Sequence, residues 1–303
     1  MKLKNPEARI ENTNFCQASC TICPREKMTR KKCTMPLDHF KVLVNQAKEL
    51  GATTVSVFGF GEPFMDSGLA EKIEVCTLTG LDTFVTTNAG LLHTDLAKDV
   101  LRAGLKHIRF SVHGISAPDY EKVHKGLNYM EVLKNIFNFI TINNERFDHA
   151  CKVSVTAIPH NAKVEGIKEF WEKHIDYLEL WRPHGWAGGR AYREVRKRSK
   201  TCGRPFSGPV QIQADGQMIV CCFDFDGKIV VGDTYKESIE DILKGDKFNE
   251  IRRKHETGEL EGLPCAECDQ LNIEEENPLL YSSRDPDRNI NTTSSTKFKI
   301  TGE

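Results

Sequence analysis

The chain has 303 residues, 39% of them hydrophobic and 28% charged, with a formal net charge of −1 at pH 7. That composition suits one large core plus a smaller second unit. The near-neutral balance excludes a general electrostatic attraction to nucleic acid or anionic membrane. No apolar run reaches the ~18 residues that span a bilayer. The opening "MKLKNPEARIENTNFC" lacks the apolar stretch of a signal peptide. The expected location is the cytoplasm, with neither nucleic acid nor membrane among the expected partners.

In chain order, β-rich runs alternate with amphipathic stretches from residue 8 to about 182. The runs are 8–13, 53–60, 81–90, 105–114, 151–160 and 175–184. Between them, Phe40, Leu43, Val44 and Ala47 share one helical face, as do Leu96, Ala97, Val100 and Leu101. Tyr129, Val132, Leu133, Ile136, Phe137 and Ile140 make a third such face. Asp38 and Asp95 are placed to start helices. Six strand–helix units in succession predict a parallel sheet, either a partial barrel or an open doubly wound sheet. In both, function gathers at the carboxyl ends of the strands. The unusual segments lie there: Cys16–Cys23, "GFGEP", "TTNAG", "SVHG", "IPHN" and "RPHGWAGG".

After residue 190 the texture changes. Residues 191–201 read as a polar, basic linker. "PVQIQADGQMIVCCFDF" reads as two strands joined at Asp215-Gly216. Residues 238–258 read as one helix ending at Gly258. Residues 276–303 carry little apolar pattern and are expected to be a flexible tail.

Eleven cysteines are many for a compartment that keeps thiols reduced, and most are bunched: 16/20/23, 202, 221/222 and 265/268. Bunching points to metal or cluster ligation rather than disulfides. Cys16-x3-Cys20-x2-Cys23 follows the first strand. Three thiolates there can hold three irons of a [4Fe–4S] cube and leave the fourth open to a chelating molecule. A zinc knuckle completed from elsewhere is the alternative. Cys33, Cys76 and Cys151 are scattered and read as inert.

Cys16-x3-Cys20-x-Ile22-Cys23 resembles the signature of radical S-adenosylmethionine (SAM) enzymes, and the resemblance extends over residues 8 to about 270. "GFGEP" is similar to that family's GGEP motif, with Phe60 where a glycine usually stands. The resemblance implies an α/β fold: a partial (β/α)6 TIM-like barrel over 8–190, followed by a small C-terminal β-hairpin plus helix cluster-binding domain over 202–275. It implies that Cys16, Cys20 and Cys23 ligate the SAM-binding cluster. Gly61, Glu62, Pro63, Thr87, Asn88 and Ser111 would then contact SAM, and His113 the substrate. The adenine pocket would draw on residues 157–161. Each of these also reads as an ordinary turn residue.

Cys202, Cys221, Cys265 and Cys268 resemble the SPASM/Twitch extension of such enzymes, in the shorter Twitch form with one auxiliary [4Fe–4S] cluster. A four-sulfur zinc site is the alternative. Cys222 is either an inert neighbour or a hydrogen-atom donor. Alternating strand geometry turns it away from the cluster that Cys221 would serve. Arg190, Arg193, Arg196, Lys197 and Arg198 read as a solvated linker face or an anchor for an acidic substrate.

The resemblance implies an oxygen-sensitive oxidoreductase. It would cleave SAM reductively and take a hydrogen atom from a small sugar or aminocyclitol-like substrate, with dehydrogenation as the outcome. A flavodoxin or ferredoxin-type protein would donate the electron. Two alternatives stand beside it: modification of a ribosomal peptide by epimerisation or cross-linking, and a non-catalytic metal-binding scaffold. The first strand starts near residue 8, which leaves no room for a leader-binding domain and tilts the expectation towards a small molecule.

Overall fold

The computed structural model describes residues 1–159, 164–192, 199–272 and 279–284. Every expected N-terminal strand is present in shortened form: β1 (Glu7–Ile10), β2 (Thr54–Val57), β3 (Asp82–Thr87), β4 (His107–Ser111), β5 (Lys152–Ala157) and β6 (Tyr177–Trp181). They pair in parallel in chain order. The connecting helices are α1 (Leu37–Glu49), α2 (Leu69–Leu78), α3 (Thr94–Arg102), α4 (Ala117–Val123), α5 (Tyr129–Phe147) and α6 (Val164–Trp171). β6 does not pair with β1, so the barrel is open.

Strand alternation gives the barrel two unlike faces. Ala8 and Ile10 of β1 and Ile108 and Phe110 of β4 are fully buried against the helices. Their neighbours Glu7, Arg9, His107 and Arg109 line the interior cavity instead. The lumen is therefore polar, unlike the all-apolar strands of many parallel sheets. Arg9 pairs with Glu7 at 2.8 Å, and Glu179 lies 3.7 Å from Arg109 and 3.5 Å from Arg284.

The helix faces follow the 3.6-residue period with small corrections. Phe40, Leu43, Val44 and Ala47 are completely buried in α1. In α5 the buried stripe is Tyr129, Val132, Ile136, Phe139 and Ile142. Leu133, Phe137 and Ile140 lie at its flank, where Phe137 meets Trp171 of α6 at 6.0 Å. Asp38 and Asp95 sit in the first turns of α1 and α3 but do not cap them; Pro36 and His93 hold those positions. Negative charge in a first turn suits the helix dipole without any capping hydrogen bond.

The C-terminal unit comprises α7 (Arg204–Ser207), β7 (Val210–Ile212), β8 (Gln217–Ile219), β9 (Val230–Asp233), α8 (Ile239–Lys244) and α9 (Asp246–Thr257). The hairpin turns where expected, with Gly216 at φ +82°. β7 pairs in parallel with β1, so the C-terminal strands extend the barrel sheet. The ten strands run β10-β6-β5-β4-β3-β2-β1-β7-β8-β9. The single helix expected over 238–258 is broken at Gly245, whose extended backbone (ψ 159°) ends α8 and starts α9. β10 (Leu279–Ser282) corrects the expectation of a tail throughout 276–303. It lies antiparallel on the open edge of β6, whose unpaired backbone groups need partners, and buries Leu279. No helix among the described residues is long and apolar enough to cross a membrane.

Candidate active site

β1 leads directly into the loop that carries Cys16, Cys20 and Cys23. The amide of Ala18 approaches Cys16 Sγ at 3.5 Å, and the amide of Cys23 donates to the carbonyl of Cys20 at 3.1 Å. The loop is held from above by the segment after β6. Trp186 Nε1 donates to the Ile22 carbonyl at 2.8 Å, and Lys27 Nζ donates to the Gly189 carbonyl at 2.9 Å. Arg190 donates to the Cys23 carbonyl and pairs with Glu26. That contact corrects the expectation of a free basic stripe: Arg190 clamps the cysteine loop. Arg193, Arg196, Lys197 and Arg198 lie outside the described residues.

Burial pushes Cys20 up to about 12 and Cys23 to about 11, and neighbouring thiols push the same way. Buried thiolates in that setting need a cation, and a coordinating metal deprotonates a thiol outright. Among the described residues, no three His, Cys, Asp or Glu side chains gather to hold a metal ion. A zinc centre draws its sulfurs to ~2.3 Å from one point. An iron–sulfur cube, with irons at separate corners, is served by sulfurs set farther apart.

Sequence reasoning missed His124, just past α4. Its Nε2 accepts the amide of His113 at 3.2 Å, which leaves the proton of the neutral ring on Nδ1. Nδ1 faces Cys20 Sγ at 3.4 Å. Stacking on Tyr120 at 4.2 Å and on His113 at 4.9 Å locks the ring. "EKVHKG" carries no metal-like spacing, so only the fold could place this imidazole beside a cysteine.

In "GFGEP", Gly61 is required by close approach. A Cβ there would stand 2.2 Å from the Thr13 carbonyl oxygen and 2.7 Å from that of Phe15. Glu62 is buried. Its carboxylate accepts from Thr87 Oγ1 at 2.5 Å, the Asn88 amide at 2.8 Å and the Phe64 amide at 3.3 Å. It thus ties the loop after β2 to the end of β3. Thr87 also accepts the Ala89 amide at 2.9 Å, so its hydroxyl is committed to the loop. Asn88 Oδ1 accepts from Gln17 at 3.0 Å, and its Nδ2 lies 3.9 Å from Cys16 Sγ. Pro63 is buried, and its carbonyl accepts from Asn12 at 3.1 Å.

Burial outweighs the three donors and pushes Glu62 from its ordinary 4.5 up to about 7. The folded chain therefore holds a proton that the unfolded chain releases between those values. This group's contribution to stability falls as pH rises from about 4.5 to about 7. Urea unfolding at several pH values should show that slope, and Glu62→Gln should flatten it. An unchanged slope in the variant would assign the dependence to other groups.

A second hub also escaped the sequence reading. Glu11 pairs with Arg30 at 2.9 Å and accepts the amides of Phe60 at 2.7 Å and Ala214 at 3.0 Å. One carboxylate thereby joins β1, the "GFGEP" loop and the C-terminal hairpin. Phe60 contacts Trp186 at 5.4 Å and Phe225 at 6.1 Å, so the family's missing glycine is replaced by an aromatic bridge between the two units.

All these segments border one cavity of about 860 Å³. Cys16, Cys20, Cys23, Gly61, Glu62, Thr87, Asn88, Ser111 and His113 line it, together with Trp186, Cys222 and Phe223. His113 Nδ1 accepts the Ile158 amide at 2.9 Å, which pins the ends of β4 and β5 together. Of the expected adenine segment, Ile158 lines the cavity, whereas His160 and Asn161 lie outside the described residues. Of the scattered cysteines, Cys76 is fully buried in α2, Cys151 is fully buried just before β5, and Cys33 is half-buried.

A smaller cavity of about 30 Å³ is lined by Cys202, Cys221, Cys265 and Cys268 with Arg204 and His255. The fold thus brings the four cysteines together from three separate stretches. Cys221 borders the small cavity and Cys222 the large one. Both follow β8 rather than lie in it, so strand alternation does not separate them, and their side chains hydrogen-bond to each other. Arg204 Nη1 donates to Cys222 Sγ at 2.8 Å. His255 is 1% exposed, and its Nε2 has no partner among the described residues. An orphaned buried nitrogen on a residue that lines the same cavity as four cysteines fits a cage built around a further group.

A family model for the Radical SAM superfamily matches residues 10–170. The chain belongs to the radical SAM superfamily. A second model, for the SPASM iron–sulfur cluster-binding domain, matches residues 202–269. The chain is therefore a radical SAM enzyme with a SPASM-type domain, which implies a [4Fe–4S] cluster, SAM and auxiliary iron–sulfur. Its curated relatives include a GTP 3′,8-cyclase of Alkaliphilus oremlandii, 28% identical over 42% of this chain and 41% of the relative. A probable GTP 3′,8-cyclase of Sulfurisphaera tokodaii is 22% identical over 82% of this chain and 90% of the relative. The chain spans 41%, 46% and 63% of the first three curated relatives.

Among solved structures, BtrN in complex with AdoMet and 2-DOIA superposes with a TM-score of 0.63 at 18% identity, over 92% of this chain and all of BtrN. Streptococcus suis SuiB bound to its precursor peptide SuiA gives 0.67 at 16% identity, over 82% of this chain and 66% of SuiB. Both likenesses concern the fold.

Proposed function

We propose that this enzyme removes a hydrogen atom from a small polar molecule, sugar or aminocyclitol-like, and completes a dehydrogenation. The cavity of about 860 Å³ carries the reading, because the three-cysteine loop, Cys222 and Phe223 all border it. That volume lies within the range of small-ligand sites. Its strand-borne lining is polar, with Thr86, Ser111, Thr156, Gln211 and Gln213. The site would bind SAM beside the cysteines and leave room for a second small molecule. The GTP cyclases and the BtrN complex are relatives and neighbours whose names carry small molecules.

Cys16, Cys20 and Cys23 would hold the SAM-binding cluster. When bound, that cluster and SAM supply a radical able to take hydrogen from an unactivated carbon. Gly61 lets the "GFGEP" backbone approach the cysteine loop, so its carbonyls can meet a cationic amino group. Glu62 and Thr87 hold that loop against β3, and Asn88 braces Cys16. Trp186 and Arg190 hold the loop through the Ile22 and Cys23 carbonyls. Cys202, Cys221, Cys265 and Cys268 would hold one auxiliary cluster in the Twitch form. A flavodoxin or ferredoxin-type protein would deliver the electron.

Peptide modification is the second reading, favoured by the likeness to SuiB with SuiA and to anSMEcpe with a Cp18Cys peptide. Family membership sets aside the scaffold reading. Cys222 separates the remaining two. A sulfur that accepts from a guanidinium leans towards thiolate, which has no hydrogen atom to give. Cys222→Ala is therefore expected to retain substrate-dependent 5′-deoxyadenosine formation and product within about threefold. A variant that forms 5′-deoxyadenosine but no product would overturn the dehydrogenase reading in favour of an epimerase. Anaerobic turnover with small polyols, aminocyclitols and candidate peptides tests the substrate class directly.

A further inference from the structure

We propose that His255 donates a hydrogen bond from Nε2 to the sulfur of the auxiliary cluster and raises that cluster's reduction potential. The inference rests on the reading that Cys202, Cys221, Cys265 and Cys268 hold this cluster. His255 sits on α9 and lines the same small cavity as those four cysteines. Its Nδ1 lies 3.0 Å from Thr201 Oγ1. That hydroxyl already accepts the Gly203 amide at 3.0 Å. The hydroxyl proton of Thr201 is then available to Nδ1, and the ring proton falls on Nε2. With one proton on the ring or two, Nε2 keeps one.

Nε2 is buried and has no partner among the described residues. Buried donors in native proteins have acceptors; Asp224 and Gln270 also line the cavity, but the four sulfurs are its most numerous side-chain acceptors. Thr201 directly precedes Cys202, so the residue that sets the tautomer is also fixed to a ligand. An N–H···S bond is charge-assisted and strengthens when the cluster gains an electron. Hydrogen bonds to cluster sulfurs are one of the recognised controls of potential. The Arg204 guanidinium in the same cavity acts in the same direction. Both favour a cluster that accepts an electron, as dehydrogenation requires. A histidine that merely fills space beside Thr201 would leave the potential where it is.

The test uses the full chain, reconstituted anaerobically, with iron and sulfide analysis and EPR-monitored redox titration. His255→Leu removes the donor, whereas His255→Gln retains an N–H. In His255→Leu the reduced-to-oxidised ratio of the auxiliary cluster, at the wild-type midpoint, is expected to fall about tenfold, a shift of ~59 mV for one electron. The N-terminal cluster should not move, and His255→Gln should recover most of the shift. In the wild-type chain labelled with ¹⁵N-histidine, the reduced auxiliary cluster should show an imidazole nitrogen coupling that is absent in the Leu variant. Two intact clusters with an unchanged auxiliary potential in His255→Leu overturn the role of His255 alone. A wild-type chain that binds only one cluster overturns the four-cysteine reading and the role together. Should His255→Leu lose the auxiliary cluster, absence of the wild-type ¹⁵N coupling overturns the proposal, and its presence supports it.

Discussion

Replacing Cys16, Cys20 or Cys23 with Ala is expected to abolish reductive cleavage of SAM, with 5′-deoxyadenosine formation falling by more than about a hundredfold. Even changes in the groups that surround a metal ligand cost ~10–100-fold, and these substitutions remove the ligand itself. Iron content should fall from about eight to about four per chain, because a cube held by three thiolates does not survive the loss of one. The auxiliary site draws on cysteines from residues 202 to 268 and should keep its share. Cys33→Ala is the matched control. Its amide donates to Asn14 Oδ1 at 2.8 Å, but its thiol does not line the cavity. Full iron and normal cleavage in Cys20→Ala would remove the N-terminal loop from the chemistry. The inverse variant, Cys265→Ala, should lose the other four irons and retain cleavage of SAM without product.

Gly61→Ala carries the second large effect. The new Cβ would stand 2.2 Å from the Thr13 carbonyl oxygen and 2.7 Å from that of Phe15. Both contacts are backbone, so no side chain can swing aside. The loop must move, and the 2.8 Å bond from the Glu62 amide to the Phe15 carbonyl goes with it. Overpacking of this kind costs about 3 kcal/mol or more. The midpoint of thermal unfolding should drop by roughly 5–10 °C. The same motion pulls Glu62 from Thr87 and Asn88, so SAM affinity should fall further than stability alone explains. Gly262→Ala is the control, since a Cβ there meets nothing within 4 Å and only its φ of +79° is strained. Equal effects in the two variants would remove close approach to the cysteine loop as the reason for a glycine at position 61.

Much of this architecture was legible because two periodicities are local properties of the chain. The alternation that gave β1 to β6 and the 3.6-residue stripe of α1 both follow from side-chain direction. The Asp215-Gly216 turn was legible for the same reason, since Gly216 relieves a positive φ that few residues tolerate. β9 and β10 were missed because they are short edge strands whose formation depends on a neighbour's unpaired backbone. The break at Gly245 was missed because a glycine within a helical pattern is tolerated as often as it ends one. Glu11, His124 and His255 carried no motif. Each acts through partners that are 19 to 203 residues away or 104 and 54 residues away.

By itself the sequence determined the strand–helix order, the three-cysteine loop, the four later cysteines and the family to which they point. These are short-range facts: spacing, period and turn chemistry survive without knowing what lies across the core. Only the tertiary structure decided that β7 joins the edge of β1, which makes one continuous sheet and one cavity from two units. It also placed Cys221 and Cys222 beyond β8 with their side chains hydrogen-bonded to each other, committed Thr87 to Glu62, and set buried imidazoles beside both cysteine groups. The physical reason is the same in each case. A hydrogen bond or a shared wall depends on distance in space, and chain separation carries almost no information about that distance once the sheet is formed.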